Sequence, residues 1–216
     1  MEMSFDIETV PQIAPLSNIQ NEELSRKLDN YLAKRSDSED VEEAKRLLMG
    51  TSPYFGEIIC IGLGGEDGSG EFKSLAIIGT EKEILQKFWK RISDFRGTFV
   101  SYNGLEFDVP FILARSMKHG IKVTNKTFID TRRFQRFPHF DVKQVLSDWD
   151  KFRSCTLHLA CDHLGIPSPK EGEIKAKDVA QAYADGRIDE IQKYCLRDVK
   201  ATLQIFKIVR EYTIIK

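Results

Sequence analysis

No run of about 18 apolar residues occurs in this chain of 216 residues, and its start lacks a basic stretch followed by an apolar one. Neither a membrane-spanning helix nor a secretory leader is expected, so the sequence reads as that of a protein that stays in the cytoplasm. Cysteine is scarce. Cys60, Cys155, Cys161 and Cys195 sit in apolar contexts without small-domain spacing, which excludes a disulfide framework and suits reduced thiols in a core. An excess of positive charge is missing as well: the net charge is −1 and the pI about 6.5. Any attraction to a polyanion must therefore be local. Glycine clusters at Gly62, Gly64, Gly65, Gly68 and Gly70, but position 67 is Asp where a dinucleotide-binding G-x-G-x-x-G needs its third glycine. The run also leads into a strand pattern where that motif needs a helix, so it reads as a hairpin turn.

What is present is enough chain for one well-filled core, read as a single domain over 1–216. Apolar periodicity predicts strands at about 3–9, 57–63, 71–78, 98–102 and 127–130. It predicts helices at about 81–94, 108–119, 141–148, 154–164, 176–184 and 187–212. Residues 19 to 49 are rich in Glu, Lys, Arg, Leu and Asp and read as a charged insertion of two amphipathic helices around a polar turn at 36–40. Strands followed by alternation and terminal helices imply an α/β fold with a mixed sheet. Cys155, His158, Cys161 and His163 have a spacing that suggests zinc. A helix over 154–164 would bury Leu157, Ala160, Cys161 and Leu164 on one stripe and disperse the other candidates. Charge is uneven. Residues 1 to 50 carry eleven acids and six bases, whereas between Val109 and Phe140 seven bases, from Arg115 to Arg136, face Asp130 alone. That stretch would suit phosphate, although solvated lysines on helix surfaces are the commoner explanation.

The most informative residues are acidic. In Phe5-Asp6-Ile7-Glu8-Thr9 the two acids lie at i and i+2 of an apolar strand pattern and point to one face. Adjacent carboxylates repel and lose hydration on burial, unless a divalent cation of the magnesium or manganese type sits between them. An exposed edge strand with two solvated acids would explain them equally well. Asp108 follows an Asn-Gly turn at the start of a helix pattern, where ordinary capping is the competing explanation. Tyr194 and Asp198 are one helical turn apart and share a face, as a partly buried Tyr beside a solvated acid also would.

Taken in order, Asp6-x-Glu8, Asn103-x3-Phe107-Asp108 and Tyr194-x3-Asp198 resemble the three exonuclease motifs of the DnaQ-like, or DEDD, 3′→5′ exonucleases. The tyrosine four residues before the last aspartate is similar to the DEDDy branch. The histidine branch has its base five residues before, where this chain has Lys193. The opening and the Asn103–Asp108 segment resemble the proofreading domain of family B DNA polymerases. The segments 164–170 and 194–199 resemble a stand-alone bacterial group related to it.

The resemblance spans 3–212 and implies a ribonuclease H-like fold with a five-stranded mixed sheet flanked by helices. It implies two divalent ions, Mg2+ or Mn2+, with Asp6 bridging both, Glu8 and Asp198 on the nucleophile side and Asp108 on the leaving-group side. Tyr194 would orient the attacking water, because a neutral tyrosine of ordinary pKa near 10 is a poor base. Thr9 and Val10 are expected near the terminal nucleotide, and Asn103 and Phe107 are expected to frame the strand, against the simpler roles of turn and core residue. The expected partner is the 3′ end of single-stranded nucleic acid, DNA before RNA. A non-catalytic module that keeps the fold is the remaining alternative.

Overall fold

The computed structural model describes residues 1–35, 40–168, 174–175 and 178–213. Its centre is a mixed sheet of five strands in the order β3-β2-β1-β4-β5. β1 (Glu2–Pro11) and β2 (Gly56–Glu66) pair antiparallel, as do β2 and β3 (Phe72–Ile77). β4 (Thr98–Ser101) lies parallel to β1, and β5 (His139–Asp141) parallel to β4. This is the α/β architecture with helices on both faces that the resemblance implies. No helix among the described residues is long and apolar enough to cross a membrane.

The two faces of the sheet hold different helices. On one, Phe5, Ile7, Ile58, Ile61 and Leu63 meet α3 (Glu81–Ile92) and α4 (Asp108–Lys118) through Ile84, Leu85, Phe88, Trp89 and Ile112. α3 starts at a capping box in which Thr80 and Glu83 satisfy each other's backbone N–H groups. Its base is tied to α4 by a buried ion pair. Arg115 donates to both Glu81 oxygens at 2.7 and 2.6 Å, and Ile58 N and His119 Nε2 complete that carboxylate's partners. On the other face, α8 (Ile188–Thr213) crosses the sheet beside α7 (Val179–Ala184), and α5 (Val142–Leu146) and α6 (Leu157–Leu164) pack against it. α1 (Asn18–Leu32) and α2 (Val41–Gly50) form the expected charged helical insertion between β1 and β2. Most of the polar turn foreseen between them lies outside the described residues, as do residues 176 and 177 of the helix foreseen at 176–184 and the end of the 164–170 segment.

Three expectations are corrected. Gly62, Gly64 and Gly65 lie inside β2, whose ladder runs on through Glu66; the turn occupies 67–70. A methyl group on Gly62 would lie 2.8 Å from Cys195 Sγ and 2.9 Å from Val199 Cγ2, and one on Gly64 2.7 Å from Val199 Cγ1. These glycines keep the sheet face bare so that α8 can approach. Residues 127–130 form no strand: Phe128 is fully buried among Phe5, Phe88, Trp89 and Phe99, in a turn held by the Asn125 side chain. The fifth strand is instead the three residues of β5. Arg115 is 2% exposed, so the basic stretch offered for phosphate binding begins beyond it. α6 buries Ala160 and Cys161, two of the four residues foreseen on its buried stripe.

Candidate active site

A bulge shapes the strand pair that carries the first two acids. Glu8 pairs with Cys60 and Thr9 with Ile58, leaving Ile59 unpaired. Ile59 and Cys60 therefore both face α8, together with Val10, while Ile58 and Ile61 face the other core. Asp6 and Glu8 project to the α8 side as well, Asp6 opposite the bare Gly62. α8 seats Cys195 and Val199, i and i+4, on the glycines. The adjoining stripe, Tyr194 and Asp198, then falls beside the two acids. Cys195 Sγ lies 3.7 Å from both the carbonyl oxygen and Oδ2 of Asp6. One ligand atom each from Asp6, Glu8 and Cys195 can be enclosed within 4.8 Å.

Asp108 reaches the site from the opposite side of β1. It is the first residue of α4 and 3% exposed; it is not the cap of that helix, since its Oδ1 accepts from Ile7 N at 3.0 Å across the strand. The structure thus brings Asp6, Glu8, Asp108, Tyr194 and Asp198 together. Burial, then Asp108, Asp198 and Glu8, pushes the Asp6 carboxyl well above the usual carboxylate range. Glu8 is raised by burial and by Asp198. Asp108 is raised to about 7 by burial, with Asp141 and Asp198 adding to the effect. No cationic side chain figures among the principal causes for these three acids. Burial, then Asp198, Glu8 and Asp6, raise the Tyr194 hydroxyl far above its ordinary value, and it hydrogen-bonds Asp198. It stays protonated throughout the neutral range.

The four expected substrate contacts are placed less freely. The Thr9 hydroxyl donates to Gly50 O at 2.6 Å, and the Val10 side chain is 3% exposed in the α7–α8 core, so the Val10 side chain is not available to a nucleotide. Asn103 takes a left-handed turn conformation, φ 74°, and its side-chain oxygen accepts from Lys143 Nζ at 3.0 Å. Phe107 is partly buried, its ring 5.5 Å from that of Phe111. A fifth acid escaped the sequence reading. Asp141, at the end of β5 and buried, accepts from Asn103 N and Leu105 N at 2.9 and 3.0 Å and caps α5 through Gln144 N. It anchors the loop that delivers Asp108. An aspartate between an apolar pair and a helix pattern was the signal available, and it reads as an ordinary cap.

The family described as predicted 3′-5′ exonucleases related to the exonuclease domain of PolB matches residues 54–213. The chain belongs to this family. The match takes in Asp108, Tyr194 and Asp198 and starts beyond Asp6 and Glu8, which the geometry above joins to them. The chain is also similar to a DNA polymerase of Pyrococcus glycovorans, 25% identical over 170 residues, and to one of Thermococcus gorgonarius, 26% identical over 144. These alignments cover 69% and 61% of this chain and 22% and 18% of the polymerases. The chain thus spans about a fifth of the length of these relatives. The family B DNA polymerase of Pyrobaculum calidifontis shares the fold, with a TM-score of 0.59 at 15% identity over 96% of this chain and 24% of that one.

Proposed function

We propose that the protein is a metal-dependent 3′→5′ exonuclease that hydrolyses phosphodiester bonds from the 3′ end of single-stranded DNA, with two divalent ions, Mg2+ or Mn2+, held by Asp6, Glu8, Asp108 and Asp198. The observation that carries the reading is the convergence of these carboxylates on one buried place, where burial and neighbouring acids raise Asp6, Glu8 and Asp108 above the usual carboxylate range. Several hard oxygen donors crowded into one buried place fit a divalent cation. When bound, such ions supply charge stabilisation at the phosphate and a water nucleophile at neutral pH.

The protein's own groups position the reactants. Tyr194, protonated and one turn from Asp198, donates its hydroxyl hydrogen bond to that carboxylate and would orient the attacking water through its oxygen without taking the water's proton. The Ile7 N–H fixes one Asp108 oxygen, and Asp141 fixes the loop before it. Thr9 and Val10 would meet the terminal nucleotide through their backbone, since the Thr9 hydroxyl and the Val10 side chain are engaged. Asn103 and Phe107 would flank the strand. DNA is preferred as the polymer because the similar proteins are DNA polymerases.

The test offers 5′-labelled DNA and RNA strands of one sequence with Mg2+, with Mn2+, and with a chelator. A ladder from DNA that the chelator abolishes is expected. Shortening of RNA alone would make the protein an exoribonuclease of the same branch. Metal binding without shortening of either would leave a non-catalytic binding module.

A further inference from the structure

The chain has fourteen phenylalanines, and the only three that are exposed, Phe134, Phe137 and Phe152, all lie between residues 134 and 152. Phe134 is 73% exposed, and its ring lies 5.2 Å from that of Trp149, tilted at 56°. Its backbone is in the left-handed region, φ 65°, and so are Asp148 and Trp149, at 52° and 61°. Among the described residues, three of the four non-glycine residues in that region are therefore the two partners of this contact and the residue before one of them. Bulky side chains are disfavoured there, and a glycine or asparagine at 134 would relax the backbone without vacating any core space. Neither packing nor backbone preference explains the ring.

Cations surround the pair in sequence: Arg132, Arg133, Arg136, Lys151 and Arg153. Arg132 and Arg153 have surface partners in Asp130 and Asp150, contacts that contribute little and exchange readily. Arg133 reaches the loop that leads into α4. Its guanidinium lies 3.7 Å from Glu106, two residues before Asp108, and both partners are exposed. An aromatic face with an arginine beside it that reaches the loop before Asp108 matches what an unpaired nucleotide requires: a ring to stack on and a cation for its phosphate.

We propose that Phe134 and Trp149 form a stacking platform for an unpaired base upstream of the 3′ terminus, with Arg133 as the phosphate contact that leads the strand from the platform to the carboxylates. This rests on the exonuclease reading above. A duplex hides its base faces, so the platform selects single strands and lengthens the bound segment beyond the cleft.

The test uses an Asp6→Asn background, so that bound strands survive, and titrates a thymidine dodecamer and a thymidine dinucleotide. The readouts are anisotropy and tryptophan fluorescence. Trp89 is buried, so quenching reports Trp149. Quenching by the dodecamer is expected. Phe134→Ala should weaken dodecamer binding by about fivefold or more and leave dinucleotide binding unchanged, while Phe134→Tyr retains the parent affinity. Equal dodecamer affinity in Phe134→Ala, or an equal loss for both ligands, overturns the platform. If the protein with Asp6 intact still shortens DNA in that case, the exonuclease reading stands alone. No shortening and no binding of either oligonucleotide removes both. A Phe134→Ala change that alters only self-association in sedimentation would make the pair a protein contact and overturn the proposal.

Discussion

Asp108 keeps its proton to about pH 7 in the metal-free protein because burial and the neighbouring Asp141 and Asp198 disfavour its charge. Its folded pKa therefore lies above its unfolded value near 4, and the folded state binds the proton more tightly. The stability that this contributes is complete below about pH 4 and is lost as pH rises to about 7. Asp108→Asn keeps an acceptor for Ile7 N and cannot ionise. Urea unfolding in chelator should show the variant gaining on the parent across that window, by on the order of a few kcal/mol. A gap independent of pH would mean that the carboxyl is not strained. Beside it, Asp6→Asn should abolish turnover with the fold intact, whereas Tyr194→Phe should retain partial activity, since it loses only the orientation of water. Equal inactivity of the two in a single-turnover assay would give Tyr194 a proton-transfer role that its raised pKa argues against.

Among the elements, α8, the β1–β2 pair and the first turn of α4 make the candidate site, and the fit of α8 on the strand pair depends on an absence of side chains. Gly62→Ala would place a methyl 2.8 Å from Cys195 Sγ and 2.9 Å from Val199 Cγ2, so the helix must lift. Overpacking of this kind costs about 1–3 kcal/mol. Because Asp198 rides on that helix, metal affinity measured by calorimetry should fall as well, while Gly68→Ala, with open space around it, should change neither. The sequence carried the acids and their order plainly, since i, i+2 on a strand and i, i+4 on a helix are local rules. The glycine run was misread because glycine marks turns locally, whereas its use under α8 depends on a helix more than a hundred residues away. The strand placed at 127–130 failed for a similar reason. Phe128 and Ile129 are strand-forming by composition, but Phe128 fills a cavity among four aromatic rings, and the true edge strand is too short to show a period. Asp141 was hidden because its cap geometry is ordinary and its hold on residues 103 and 105 is long-range.

At the scale of the whole molecule, near-neutral net charge leaves binding to local surfaces. With Arg115 committed to Glu81, the exposed bases run from Lys118 to Arg136 and reach the loop before Asp108 through Arg133 and Glu106. Binding should therefore weaken with salt, and a strand should enter by its free end. The most direct test presents a 5′-labelled linear single strand and a circular strand of the same sequence to the protein with Mn2+, alongside Asp6→Asn. The account predicts a ladder shortening from the 3′ end of the linear strand, an intact circle, and no product from the variant. Efficient cutting of the circle, or undiminished activity in Asp6→Asn, would contradict it.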